Sequence, residues 1–242
     1  MTSPSPRFLL GVLGGMGPLA TVDFLAKLVA VTPARGDTDH VPVVVASIPQ
    51  IPPRVPAILG DGPSPLPAMR DARDRLLAAG ATLLAMPCNT AHAWYDELVA
   101  GIDVPFLHIA DTAIDEVRAI VPEGGAVGIV ATEATHAIGL FSSRLERAGY
   151  GSIVPKGDDA RAVVEGVAAV KGGRLADGGA RFARAMASLE LDGARAVVLG
   201  CTEVPPGLAA AGAVPGIPWI DPTEALARAC AAAWARHPAG GP

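Results

Sequence analysis

The chain has 242 residues, half of them hydrophobic but only 4% aromatic, and a net charge of −5. That length holds one large domain or two small ones, and the aliphatic composition suits helices packed on strands. Lys and Arg form no basic run, which excludes nucleic acid and anionic membranes as partners, and no stretch approaches the apolar length of a membrane span.

The start is short, with Arg7 the one cation before an apolar run at 8–13 that is too brief for a signal-peptide core. A cytoplasmic location is therefore expected. Cys88, Cys201 and Cys230 lack CxxC spacing and are expected to be free thiols, neither disulfides nor zinc ligands. Further apolar runs at 41–48, 82–86, 106–109, 126–130 and 196–199 alternate with helix-like segments at 19–31, 66–79, 112–120, 138–148, 160–170 and 181–189. This predicts an α/β fold of mostly parallel sheets flanked by helices, with ligands bound beyond the carboxyl ends of the strands.

After the first run comes Gly14-Gly15-Met16-Gly17-Pro18. It fits a dinucleotide fingerprint poorly, because Pro18 interrupts it and the second strand ends without an acid. It is either a tight turn or a loop whose N–H groups, at Met16 and Gly17, approach a small anion. The stretch 49–67 holds seven prolines and is expected to be neither regular helix nor central strand. It is a solvated linker or, as Arg54 near a strand end favours, an active-site loop.

An offset of 113 residues carries Gly80-Ala81 and Cys88 onto Gly193-Ala194 and Cys201, and Val104-Pro105-Phe106-Leu107 onto Ile217-Pro218-Trp219-Ile220. An offset of 117 carries Gly11-Val12-Leu13 and Phe24 onto Gly128-Ile129-Val130 and Phe141. This reads as duplication, giving two similar lobes that each place one cysteine at a strand end and would enclose a cleft.

Two such thiols suit inversion at an amino-acid Cα, which needs a base on one face and an acid on the other. A thiol pKa near 8.5 lies close to working pH. The side chains and N–H groups of Asn89, Thr90 and Thr202 are candidates to hold the substrate carboxylate. Glu203 either orients the Cys201 thiol or is a solvated acid at a helix start. His92 either shares a face with Cys88 or serves as a cap or core residue. The five histidines make no metal spacing. Cys230, in an Ala-rich run, reads as helix packing.

The Gly loop with Ala20-Thr21, then Pro87-Cys88-Asn89-Thr90-Ala91-His92, then Gly200-Cys201-Thr202-Glu203 resemble the aspartate/glutamate racemase superfamily, and its aspartate racemase branch most closely. The resemblance implies pseudo-symmetric lobes, over 1–110 plus 217–242 and 111–216, with the active site between them. It implies proton transfer without cofactor or metal, commonly in a homodimer. It also implies that Arg54 pairs with the substrate's side-chain carboxylate, that Lys171 is a second cationic contact, and that Thr132 and Thr135 line the site. The expected function is racemisation of an amino acid, aspartate in this branch, by Cys88 and Cys201. Alternatives are a broad-specificity amino-acid racemase, a dicarboxylate isomerase or hydantoin racemase of the same fold, and a non-catalytic amino-acid-binding protein.

Overall fold

The computed structural model describes residues 8–237. The short start expected at 1–7, and with it the two ends of the expected N-terminal lobe, lie outside them. The chain divides into two compact units: one runs to Thr112 and resumes at Thr223, the other is Ala113–Pro222. The expected boundary at 217 is displaced, because Trp219 and Ile220 hydrogen-bond into the second unit's sheet.

Unit one contains β1 (Leu10–Gly14), α1 (Pro18–Val31), β2 (Val43–Ser47), α2 (Arg54–Leu59), α3 (Leu66–Ala78), β3 (Leu83–Ala85), α4 (Tyr95–Val99), the first turn of α5 (Ile109–Ile120), and most of α11, the last helix (Pro222–Arg236). Its strands are parallel in the order β2-β1-β3. Alternate residues of β1 feed two cores, as a strand buried on both faces requires. Leu10 and Val12 pack with Phe24, Leu28, Leu226 and Trp234. Leu13 packs with Met69, Leu76, Leu84 and Met86.

Unit two contains the rest of α5, then β4 (Ala126–Ala131), α6 (Glu133–Ala137), α7 (Ser142–Arg147), β5 (Gly151–Ile153), α8 (Gly157–Lys171), α9 (Leu175–Leu191), β6 (Ala196–Gly200), α10 (Val204–Ala210) and β7 (Trp219–Ile220). Its parallel sheet has the order β5-β4-β6-β7. Val130, Val163, Phe182, Met186, Leu189 and Val197 form its core. Among the described residues no helix is long and apolar enough to cross a membrane.

The repeat holds at the level of single pairings. Leu10 pairs with Leu83 in unit one, and Val127 with Ala196 in unit two, which are the same positions at offsets 117 and 113. Leu84 bridges Phe106 as Val197 pairs with Trp219. A Cβ on Gly11 would meet Leu84 and Leu76, and one on Gly128 would meet their counterparts Val197 and Leu189. Each glycine lets the same helix settle onto the same strand.

Several local expectations change. The Pro-rich stretch does contain a helix, α2, with Pro56 in its first turn, where the missing N–H has no helical acceptor to lose. The helix expected over 138–148 narrows to α7, because Gly139 takes φ +61° and the short α6 ends just before 138. The strand expected at 106–109 is one bridge at Phe106, since α5 already begins at Ile109. The edge strand β5, mostly exposed Gly-Ser-Ile, is too short and polar to register as an apolar run.

Candidate active site

The first predicted cluster gathers at the carboxyl end of the unit-one sheet. Gly15 has φ +87°, and a Cβ there would lie 2.2 Å from the Ile48 nitrogen, so only glycine fits this turn. The buried Thr21 holds the loop shut: its Oγ1 accepts from the Gly15 N–H at 2.9 Å and donates to the Gly17 carbonyl at 3.2 Å. In the sequence Thr21 belongs to the glycine-loop motif, which does not by itself assign it this task. Its signal is a polar residue one helical turn past Gly17, on the face α1 buries.

Arg54 begins α2 and reaches across to the same loop. Its Nη2 donates to the Met16 carbonyl at 2.9 Å, and its Nη1 donates to the carbonyls of Pro52 and Ile51 at 3.1 and 3.3 Å. The guanidinium is thus held by main-chain oxygens, while its Nε is buried without a hydrogen-bond partner. Met16, Ile51, Cys88 and Ala91 pack in one cluster.

Cys88 follows β3 by three residues and is 6% exposed. Its Sγ lies 3.6 Å from Thr90 Oγ1, and its N–H donates to Met86 O at 2.8 Å. Asn89 is buried, and its Oδ1 has no hydrogen-bond partner. His92, also buried, bonds the main chain through both ring nitrogens, to Cys88 O and to the Ile109 N–H.

The second cluster gathers at the carboxyl end of the unit-two sheet. Ala131 pairs with Gly200, so Thr132 and Cys201 are the next residues along neighbouring strands. Thr132 is the N-cap of α6: its Oγ1 accepts from the Thr135 N–H at 3.3 Å and lies 3.0 Å from Thr135 Oγ1. Both threonines therefore have a local structural task, and Thr135 is buried.

Cys201, 6% exposed, donates from Sγ to Glu203 Oε2 at 3.0 Å, and Thr202 Oγ1 donates to the same oxygen at 3.2 Å. Lys171, at the end of α8, stands 3.8 Å from Glu203 Oε1, with its side chain largely exposed. Burial pushes the Cys201 thiol well above its ordinary range; the Glu203 charge and hydrogen bond push it further, while the Glu203 N–H and Lys171 pull it down. The net direction favours the protonated thiol. Cys230, packed on α11 in the unit-one core, is raised to about 12 by burial alone. A separate cavity of about 540 Å³ in unit two is lined by Ala131, Glu133, His136, Val154, Pro155 and Val163, and by none of the predicted site residues.

Residues 13–230 match the family described as Asp/Glu/hydantoin racemase. The aspartate racemase of Picrophilus torridus superposes with a TM-score of 0.82 at 30% identity, over 94% of each chain. The broad specificity amino-acid racemase RacX of Bacillus subtilis is 29% identical over 171 residues, covering 67% of this chain and 71% of its own. Glutamate racemase from Thermus thermophilus shares the fold, with a TM-score of 0.65 at 22% identity over 98% of this chain and 84% of its own. With residues 13–230 matched by the family and the fold shared, the chain belongs to the Asp/Glu/hydantoin racemase family and is an isomerase of that family.

Proposed function

We propose that this chain racemises aspartate without a cofactor, by two-base proton transfer between Cys88, Cys201 and the substrate Cα. The observation that carries the reading is the repeat: two buried thiols at equivalent strand ends, each with polar neighbours. In the forward step the Cys88 thiolate takes the Cα proton, and the electron pair moves into the substrate carboxylate. The Cys201 thiol then returns a proton to the opposite face and is left as thiolate. The raised Cys201 supports its role as the acid of this direction.

The growing carboxylate charge is held in this reading by Asn89, Thr90, Thr202 and the N–H groups near Met16 and Gly17. Thr132 and Thr135 complete the lining. Arg54 supports an acidic side chain, because its hydrogen bonds go to carbonyl oxygens and none supplies a counter-charge. Lys171 is the second cation and is shared with Glu203. The reading includes a homodimer in the cytoplasm, which sedimentation and cell fractionation check.

Incubation with L-aspartate in D2O, without pyridoxal phosphate, tests the reaction. Decay of circular dichroism together with α-deuteration is expected. Absence of both, for aspartate and for a panel of other amino acids, refutes it. Turnover of neutral amino acids at rates equal to aspartate would favour a second reading, a broad-specificity racemase, which the similarity to RacX supports.

A further inference from the structure

The 3-10 turn Thr90–Trp94 opens with the Asn89 carbonyl as its first acceptor, taken by the His92 N–H at 3.1 Å. The Cys88 carbonyl falls one residue outside that pattern. The His92 ring takes it instead, with Nδ1 at 2.8 Å. A carbonyl can only accept, so Nδ1 carries the proton. Nε2 lies 3.2 Å from the Ile109 N–H, which can only donate, so Nε2 carries the lone pair. The ring is therefore neutral, in one tautomer, and it joins the main chain at Cys88 to the first residue of α5.

Next to it, His108 Nδ1 accepts from the Ala110 N–H at 3.1 Å, with the two ring centroids 4.4 Å apart. Two imidazole lone pairs thus satisfy consecutive N–H groups at the positive end of α5, where an imidazolium would be repelled. His92 is 5% exposed.

We propose that His92 is the positioning residue of Cys88. Its Nδ1–H fixes the Cys88–Asn89 peptide against α5 and so sets the direction in which Sγ leaves the main chain. This rests on the reading of Cys88 as a proton-transfer thiol. Transfer to and from carbon tolerates little misplacement: a shift of about 1 Å costs on the order of 100-fold.

The test separates the two bonds of the ring. His92→Asn keeps an N–H near the Nδ1 position, whereas His92→Gln keeps an acceptor near Nε2 and loses the donor to Cys88. His92→Gln is expected to lower kcat by roughly 10- to 100-fold with KM within about threefold, and His92→Asn to keep kcat within about fivefold, although both lower Tm. In a Cys201→Ser, Cys230→Ser background, where Cys88 is the one thiol, His92→Gln is expected to change the iodoacetamide alkylation rate by at least about threefold and His92→Asn to leave it near the parent. An imidazole 15N–1H correlation should show Nδ1 protonated and Nε2 bare. Equal losses in both variants that track Tm, parental kcat and alkylation in His92→Gln, or a proton on Nε2 would each overturn the proposal. If the parent turns over no amino acid, the proposed function fails, while the alkylation comparison still reads the hold of His92 on Cys88.

Discussion

The two cysteine clusters share a backbone plan and differ in what surrounds the sulfur. Around Cys88 stand a hydroxyl, main-chain groups and a neutral imidazole bonded to the main chain. Around Cys201 stand a carboxylate, a hydroxyl that bonds to that carboxylate, and an exposed lysine. The repeat therefore explains where each thiol sits but not which groups surround its sulfur. The second property comes from side chains that break the repeat: Glu203 has Thr90 at the equivalent position in unit one.

The sharpest way to break this comparison is to remove each thiol. Cys88→Ser and Cys201→Ser are each expected to lower racemisation at least about 1000-fold, because a two-base exchange needs both groups. Full activity in either variant, measured by circular dichroism, would end the two-base reading. Glu203→Gln probes the charge state alone. With the anion gone, the Cys201 thiolate costs less to form, so alkylation of Cys201 should begin at lower pH than in the parent. Racemisation should fall roughly tenfold to 100-fold as the acid loses its oriented hydrogen bond. An unchanged alkylation profile would show that Glu203 does not govern this thiol.

Two smaller effects test the shared plan. A Cβ on Gly11 would lie 2.7 and 2.8 Å from Leu84 and Ala81, whereas on Gly128 the nearest atoms lie at 3.0 Å. Gly11→Ala should cost about 2 kcal/mol and Gly128→Ala about 1 kcal/mol in urea unfolding, so equal costs would mean that the two packings are not ranked by these distances. Cys230 separates burial from carboxylate effects. Its folded pKa of about 12 exceeds the unfolded value, so its share of stability is complete at neutral pH and falls as pH rises above the unfolded thiol value of about 8.5. Between pH 7 and about pH 9.5 that loss is about 1 kcal/mol, and Cys230→Ala should flatten it.

Much of the plan was legible in the chain. The alternation of apolar runs and amphipathic segments marked β1, β3, β4 and β6, because parallel strands buried on both faces are continuously aliphatic, and it marked the partly exposed edge strand β2 by its valine run. The offset that links Cys88 to Cys201 also recovered the Phe106 and Trp219 pairings. Short edge elements were not legible: β5 buries too little to leave a pattern, and α2 is hidden by prolines that its first turn tolerates. The task of His92 was also out of reach, since its second partner, Ile109, is distant in sequence and is a main-chain group that carries no residue signature. Arg54 stood out by its place near a strand end and, through the resemblance, as a carboxylate partner, yet its hold on the Met16 carbonyl was not legible.

The bond from Cys201 Sγ to Glu203 has a chemical consequence outside turnover. Oxidants and electrophiles attack sulfur mainly as thiolate. A cysteine that spends its resting time as the protonated partner of a carboxylate is shielded from peroxide and from alkylating metabolites by the same contact that readies it to give up a proton. Burial first, and then one carboxylate two residues away, hold this sulfur in the form that oxidants attack least.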